Sequence, residues 1–331
     1  MSDATATAVR RPWLSAAAWR QLFRERPIIP LIGLLVLLII LSEVARPGIV
    51  DAGWAGVILR AAVPLAILAA SQTLTMLTGG IDLSVGQVAS VSGFMVATLV
   101  GDYNLAVAIG VALSAAALAG LANGIGVGVF RVHPLIMTLG MTLIVFGLAN
   151  VWQLLMVQTG AGVPDELRRL GAGTLFGVVP NSLLVFVPLA ALILLTLHRS
   201  GYGRLLYALG DNPVAARLSG ARSWQVLIVL YVISGVLAGI AGLIYSGLTN
   251  VASVTLANSA LLPSVAAAVI GGTSILGGRG GFGGTMVGAL ILAVVSSLLS
   301  SLGQPESVRQ ILFGAIIVLV AAAYARVTAE S

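Results

Sequence analysis

Residues 105–130 read LAVAIGVALSAAALAGLANGIGVGVF and contain no charged side chain. A helix needs about 20 such residues to cross the hydrocarbon core of a bilayer. Comparable apolar runs recur between Ile28 and Tyr324, and they are continuous rather than alternating, which argues against an outer-membrane barrel. Inside lipid every backbone polar group needs a partner within the chain, so the spans are helices. The sequence therefore predicts an all-α polytopic membrane protein.

About ten transmembrane helices are predicted, with the N-terminus and the C-terminus both cytoplasmic. The predicted spans are residues 28–45, 55–77, 85–101, 105–130, 134–156, 180–197, 224–246, 258–277, 283–302 and 307–325. Residues 1–27 are polar and rich in arginine, which predicts a cytoplasmic N-terminal tail before an uncleaved first span. The long outer loop, residues 157–179, is too short for a domain and is expected to hold a small helix.

The distribution of arginine favours this orientation. All 17 basic residues are arginine. Segments predicted to face the cytoplasm hold twelve of them: Arg10, Arg11, Arg20, Arg24, Arg26, Arg131, Arg199, Arg204, Arg217, Arg222, Arg279 and Arg326. Segments predicted to face outward hold four: Arg46, Arg168, Arg169 and Arg309. Arg60 lies near the outer end of the second span. An excess of basic residues in cytoplasmic loops is what the positive-inside rule requires.

Composition excludes several classes of function. Only 8% of the residues are charged, whereas soluble domains carry about 25%. The chain has no lysine and no cysteine, which excludes a Walker A lysine, a Schiff-base lysine and a thiolate nucleophile. Its two histidines, His133 and His198, lie at predicted membrane edges, so we predict no catalytic residue, no metal site and no enzyme activity. The net charge of +6 is spread over short loops, so membrane lipid rather than nucleic acid is the expected partner.

A first interruption of the apolar pattern is TGGIDLSVG, residues 78–86. Asp82 is the only carboxylate between Arg60 and Gly101. It could act with Ser84 as an N-cap of the third span, since both side chains accept hydrogen bonds from first-turn amides. Alternatively, the segment is a discontinuous helix that borders a substrate path, as in transporters. A proton relay has little support from a lone acid.

A second interruption is IGGTSILGGRGGFGG, residues 270–284. It is not a phosphate-binding loop, because no Gly-Lys-Ser/Thr follows. Its GGTSILGG matches GGIDLSVG in length and glycine spacing, and both are predicted at inward-side turns, which raises the hypothesis of an internal duplication. Candidate residues of the translocation path are Gln72, Gly79, Gly80, Asp82, Ser84, Asn123, Thr273 and Ser274, with Asn150 as a further polar candidate.

The third interruption is polar and carries four arginines: HRSGYGRLLYALGDNPVAARLSGARS, residues 198–223. Asn212 is predicted to cap a short helix that has Pro213 at its first position and ends at Gly220. A helix this short is unstable alone in water, so it must lie against the membrane or a protein. We expect exposed apolar side chains to fit a shallow groove on a partner, and Arg217 to reach a carboxylate there. The residues expected to be exposed are Ala215, Ala216 and Leu218.

These motifs resemble those of one family. Ala215-Ala216 followed four residues later by Gly220 is similar to the coupling-helix pattern of ABC importer permeases, Glu-Ala-Ala, three residues, Gly, although Val214 replaces the glutamate and Asp211 stands where many relatives have glycine. The order TGGIDLSVG, GLANG, GYGRLLYALGDNPVAARLSG, VIGGTSILGGRGG closely resembles ribose/xylose/arabinose-type permeases. These belong to a superfamily shared with branched-chain amino acid permeases. The resemblance covers about residues 50–325.

The resemblance implies a function and a set of partners. Residues 28–331 would form the permease domain of an ATP-driven sugar importer in the bacterial inner membrane, paired with a second copy or a sister permease. A periplasmic or lipid-anchored sugar-binding protein would deliver a monosaccharide, pentose or hexose, or a related polyol. Partner ATPase subunits would bind ATP and Mg, so this chain is expected to bind no cofactor. The residues expected to contact the ATPase are Asn212, Pro213, Ala215, Ala216, Arg217, Leu218 and Gly220.

Three alternatives stay open from the residues. An ion-coupled secondary transporter of a small sugar or polyol would need a coupling-ion site, for which a single intramembrane carboxylate is thin support. An ABC permease for branched-chain amino acids belongs to the same superfamily. An integral-membrane enzyme lacks any visible catalytic constellation. Within the main hypothesis, replacing Gly220 or placing a charge at Ala216 is expected to uncouple ATP hydrolysis from transport.

Overall fold

The structure, a computed structural model, describes residues 28–156 and 162–329, with side chains up to residue 319. The helices are α1 (Ile28–Ala45), α2 (Ala52–Leu77), α3 (Val85–Leu99), α4 (Leu105–Gly128), α5 (Pro134–Met156), α6 (Asp165–Gly171), α7 (Leu183–Arg199), α8 (Gly201–Asp211), α9 (Pro213–Leu218), α10 (Ser223–Thr249), α11 (Leu261–Ile270), α12 (Phe282–Ser301) and α13 (Glu306–Ala329). A 3-10 turn, Asn258–Ala260, precedes α11, and a short antiparallel ribbon pairs β1 (Thr174–Leu175) with β2 (Val179–Pro180). The predicted N-terminal tail, residues 1–27, lies outside the described residues.

A helix lies in each of the ten predicted spans, although the lengths differ. Within the described residues, six helices are long and apolar enough to cross a membrane alone: α1, α2, α4, α5, α10 and α12. α7 and α8 together form a seventh candidate, which bends by 67°. α3 has 15 residues, and α11 ends at Ile270 after only 10, well short of the predicted residue 277. The helical polytopic architecture is confirmed, and the number of ten crossings stays a prediction.

α2 and α10 form the centre of the bundle. α2 buries every residue from Ala62 to Leu77, and α10 buries a face that includes Leu230 and Ser234. By contrast, α1 and α5 bury few residues and expose long apolar side chains. A helix that is apolar on all sides is stable at such an exposed position only in lipid, so these two helices lie at the rim of the bundle.

α4 and α10 approach closely along a row of glycines on α4. Gly120, Gly124 and Gly128 recur every four residues, within the GLANG stretch and just after it. A Cβ on Gly120 would overlap the carbonyl oxygen of Tyr231 on α10. Small residues at this spacing let transmembrane helices pack backbone against backbone. The packing carries Asn123, which lies between two of these glycines, into the fully buried interior.

The two ends of the bundle carry different connections. At one end α6, the small helix predicted in the long loop, packs on the end of α10, where a Cβ on Gly247 would overlap the Leu167 carbonyl oxygen. Arg60 reaches this same end, because its Nη1 donates a 3.5 Å hydrogen bond to the Ala172 carbonyl. The opposite end brings together residues 78–84, α8, α9 and residues 271–281. These segments contain all three interruptions identified in the sequence.

Candidate functional site

The N-terminal end of α9 is closed by the cap that its sequence predicts. The Oδ1 atom of Asn212 accepts hydrogen bonds from the backbone amides of Val214, at 3.1 Å, and Ala215, at 2.9 Å. Pro213 occupies the first helical position, where its missing amide proton costs nothing. The helix therefore begins where Asn212 and Pro213 predict.

The C-terminal end of α9 is a Schellman motif. Gly220 has a left-handed φ of +87°, and its amide donates to the Arg217 carbonyl at 3.0 Å. The next amide, that of Ala221, reaches the Ala216 carbonyl at 3.1 Å. Glycine adopts this backbone conformation without strain, which explains why the helix ends here.

The two faces of α9 differ in burial. Leu218 is 86% exposed, and Val214 is more than half exposed, so both apolar side chains face away from the protein. Ala216 is only 8% exposed and joins the main apolar core with Leu206 and Val226. The prediction that Ala216 is exposed is therefore wrong, because a helix turns by about 100° per residue and position 216 falls opposite positions 214 and 218. Ala216 packs α9 against the protein, and Leu218 faces outward.

α8 positions α9 and is attached to its neighbours by two tyrosines. The Tyr202 hydroxyl donates a 3.0 Å hydrogen bond to the Val226 carbonyl at the start of α10. The Tyr207 hydroxyl donates a 2.9 Å bond to the Gly280 carbonyl. Neither residue was predicted from the sequence, although they stand five positions apart in GYGRLLYALG, within the third interruption.

The first helix break, residues 78–84, separates α2 from α3, and side chains rather than a helix satisfy its backbone. Gln72 donates to the Asp82 carbonyl at 2.7 Å and accepts from the Asp82 amide at 3.3 Å. Thr138 accepts from the Leu83 amide at 3.0 Å, and Thr142 donates to the Leu83 carbonyl at 3.1 Å. Irregular backbone at membrane depth persists only where protein or water satisfies it. The geometry is that of a discontinuous helix.

The Asp82 carboxylate lies at the centre of a buried polar network. It is 1% exposed, and its Oδ1 accepts from the Ser84 amide at 3.0 Å and from the Ser84 hydroxyl at 2.6 Å. Its Oδ2 accepts from the Ser234 hydroxyl at 2.7 Å, and Asn123 donates to the Ser84 hydroxyl at 2.9 Å. Ser84 stands at the N-cap position of α3 but makes no side-chain capping bond. The network therefore does not correspond to a simple cap of α3.

Two polar atoms of this region have no hydrogen-bond partner in the part of the chain that the structure describes. Both the Oδ1 of Asn123 and the hydroxyl of Tyr231 are buried and without a hydrogen bond among the described residues. The Tyr231 hydroxyl lies against Gly80, where an added Cβ would come within 2.9 Å of it. Buried polar atoms are normally hydrogen-bonded, so unused ones next to a helix break are candidates for substrate contacts. Carboxylate, amide and hydroxyl groups together are able to bind the hydroxyls of a sugar.

The second helix break, residues 271–281, begins with the same backbone closure as the first. Gly79 and Gly272 have φ values of +78° and +88°. The amide after each glycine donates to a carbonyl five residues earlier, at 3.1 and 3.0 Å. The two breaks thus share a type of backbone cap, which falls one residue later in GGTSILGG than in GGIDLSVG, while their side-chain chemistry differs. The second break contains the buried Thr273, whose hydroxyl has no hydrogen-bond partner among the described residues, whereas Asp82 of the first break accepts bonds from Ser84 and Ser234.

Both breaks meet α8 at a glycine junction, which consists of Gly79, Gly210, Gly277 and Gly278. The Gly278 amide donates a 3.0 Å hydrogen bond to the Leu77 carbonyl, at the end of α2. A Cβ on Gly210 would overlap that same carbonyl oxygen. The end of α8 therefore rests backbone to backbone on both breaks, and α9 begins three residues after Gly210. If α8 and α9 move as one unit, either both breaks must move with them or the backbone contacts at the glycine junction must separate.

The structure brings together only part of the predicted path. Gln72, Asp82, Ser84 and Asn123 share one hydrogen-bonded network, with Gly79 and Gly80 at its edge. Thr273 and Ser274 lie in the second break, and none of their described hydrogen bonds reaches that network. Asn150 lies apart and donates to the Phe146 carbonyl on its own helix. Sequence analysis missed the network residues Ser234, Thr138 and Thr142, because single hydroxyls in apolar helices are too common to mark a site.

The comparisons with known proteins agree on a class of membrane protein. Residues 55–321 match the family described as the branched-chain amino acid transport system permease component. The chain is 37% identical over 295 residues to the ribose import permease protein RbsC of Escherichia coli (strain K12), covering 88% of this chain and 91% of that one. It is 33% identical over 301 residues to the fructose import permease protein FrcC of Rhizobium meliloti, covering 89% and 84%.

A third relative transports a different kind of cargo. The autoinducer 2 import system permease protein LsrC of Escherichia coli O9:H4 (strain HS) is 32% identical over 261 residues, covering 77% of this chain and 74% of that one. No solved structure matches the chain. The relatives thus share an import function but differ in the substrate that each name gives.

Proposed function

The chain belongs to the family of branched-chain amino acid transport system permease components, and from this premise we propose that it carries a monosaccharide into the cell. Within that family it is similar to permease subunits of ABC sugar importers, which are multi-pass transport components rather than enzymes. The proposed cargo is a pentose, a hexose or a related polyol, because the names of its relatives include ribose and fructose. The proposed location is the bacterial inner membrane, with ten crossings and both termini in the cytoplasm.

The observation that carries the proposal is the outward face of α9. A six-residue helix is unstable unless packing and caps hold it. Here two caps and the buried Ala216 hold α9 so that Leu218 and Val214 point away from the protein. Large apolar side chains displayed at a fixed position suit an interface. We assign this face to a partner ATPase, which binds ATP and Mg, since the chain has no lysine for a Walker A motif.

The buried network is the second part of the proposal. Asp82, Ser84, Asn123 and Gln72 are assigned to the border of the substrate path, where opening of the first break would expose them. Discontinuous helices are a recurrent way to build such a path in transporters. In this proposal, a movement of α9 reaches the first break through the backbone contacts of the glycine junction. The other partners would be a sugar-binding protein and a second permease, either a copy of this chain or a sister.

An uptake experiment tests the proposal. The full chain, its ATPase and its binding protein are reconstituted in vesicles, and entry of labelled ribose and fructose is measured with and without ATP. We expect uptake only with hydrolysable ATP, and no change when proton or sodium gradients are dissipated. Gradient-driven uptake that persists without ATP would instead establish an ion-coupled secondary transporter. A screen of ligands for the binding protein would identify the sugar.

A further inference from the structure

A cavity of about 660 Å³ lies between α9, the end of α4 and the start of α10. Three arginines line it, one from each element: Arg131, which follows α4, Arg217 of α9 and Arg222 at the start of α10. No carboxylate is among the residues that line it. None of the three forms a salt bridge within residues 28–156 and 162–319. The cavity therefore concentrates positive charge, and none of its three arginines is in a salt bridge with a described carboxylate.

Two further observations point to an anion in this cavity. The Ser223 hydroxyl, which also lines the cavity, is buried and has no hydrogen-bond partner among the described residues. Arg222 takes the N-cap position of the 27-residue helix α10 and makes no side-chain cap, because a guanidinium offers no acceptor. An anion in the cavity would satisfy the hydroxyl and face the positive end of α10.

Most of the remaining wall of the cavity is apolar and lies beside exposed apolar side chains. Val129 and Leu227 line it, together with Trp224, whose ring is about half exposed. Phe130, next to Val129, is exposed as well. Tryptophan prefers the level of lipid headgroups, and exposed apolar residues beside it contact acyl chains. A ligand with both a phosphate and acyl chains matches the arginines on one side and this apolar wall on the other.

We propose that this cavity binds the phosphate-bearing headgroup of an anionic phospholipid. Basic pockets between transmembrane helices on the cytoplasmic side are suited to such headgroups. The lipid phosphate accepts from the three guanidinium groups and the Ser223 hydroxyl, and its acyl chains lie along Val129 and Phe130. Because Arg217 belongs to α9, a bound lipid also stabilises the position of α9, which is the proposed ATPase contact. The site does not depend on which sugar is transported.

The test measures lipid binding directly. The purified full chain is titrated with phosphatidylglycerol and, separately, with phosphatidylcholine, and bound lipid is counted by native mass spectrometry. The test variant is Arg131→Gln with Arg222→Gln. The matched control is Arg199→Gln with Arg204→Gln, which removes the same charge from two exposed arginines that do not line this cavity. We expect roughly thirtyfold weaker phosphatidylglycerol binding in the test variant, from the contribution of each basic side chain near an anionic lipid, and unchanged binding in the control.

Other arms separate the possible sources of the anion. Inorganic phosphate alone is added at the same concentrations, and binding as tight as that of the lipid would assign the site to a free anion and overturn the lipid assignment. Equal losses of phosphatidylglycerol binding in the test and control variants would show that general surface charge, and not this cavity, attracts the lipid. Displacement of the lipid when the ATPase binds would assign the cavity to an acidic side chain of that partner. If the double variant is unstable, the single variant Arg222→Gln replaces it. We then expect about fivefold weaker phosphatidylglycerol binding.

Discussion

The first helix break and helix α9 both interrupt the apolar pattern, yet they are built in opposite ways. The break buries Asp82 and Ser84, and side chains of α2 and α5, such as Gln72 and Thr138, hydrogen-bond its backbone. α9 is short and largely exposed, and its caps lie within its own sequence. Long-range bonds hold the break in place, whereas local caps and one buried alanine hold α9. The difference fits the two tasks that we propose for these regions, cargo contact for the break and partner contact for α9.

The glycine junction is where the two regions meet, so breaking it should damage both. Gly210→Ala puts a methyl group onto the Leu77 carbonyl, and overpacking of this kind costs about 1–3 kcal/mol or more. We expect a large loss of folded protein, measured by thermal unfolding and yield in detergent. Gly201→Ala, on the same helix and without close contacts, is the control. Equal stability of the two variants would show that the junction is not tightly packed.

The two faces of α9 separate stability from coupling. Ala216→Glu buries a carboxylate in the core and should lower the melting temperature strongly. Leu218→Glu introduces the same side chain on the exposed face, so it should leave the melting temperature unchanged and weaken ATPase binding by tenfold or more, as a central interface contact does. Binding is measured with the purified ATPase, and Phe176→Glu, 98% exposed on another segment, is the control. Normal ATPase binding by Leu218→Glu would contradict the assignment of this face.

Asp82→Asn tests the role of the buried polar network at the first break. An amide keeps the shape of the side chain but points a donor at a network that offers donors, from Ser84 and Ser234. Mismatched buried groups cost about 1–3 kcal/mol. We expect sugar uptake to fall roughly tenfold while the amount of inserted protein falls less. Asp102→Asn, in an exposed turn, is the control. If uptake falls only in proportion to the amount of inserted protein, the role of Asp82 is structural.

Of these variants, Thr273→Val should have the smallest effect on stability. It tests whether the two breaks differ in how their hydroxyl groups are bonded. The Thr273 hydroxyl has no hydrogen-bond partner among the described residues, so replacing it by a methyl group should change the free energy of unfolding by less than about 1 kcal/mol. Thr138→Val, the matched change, leaves the Leu83 amide without its acceptor and should cost about 1–3 kcal/mol. Reduced uptake by a stable Thr273→Val protein would place the second break on the substrate path as well.

The sequence predicts local features well and long-range ones poorly. The boundaries of α9 follow from Asn212, Pro213 and Gly220, because each acts on its own backbone. The face that α9 buries does not, since it depends on where α8 and α10 lie. Asp82 stands out as an acid in an apolar sequence, but its partner Ser234 is 152 residues away, and nothing local connects them. Glycines are too frequent here for sequence alone to identify Gly210 as a junction residue.

The central claim is that the outward face of α9 transmits the work of an ATPase to the buried break. The most direct measurement is ATP hydrolysis by the reconstituted complex, with and without the sugar-loaded binding protein. We predict that the loaded binding protein stimulates hydrolysis in the wild-type complex and that Leu218→Glu abolishes the stimulation while the permease stays folded. Equal stimulation in the two complexes would contradict the claim.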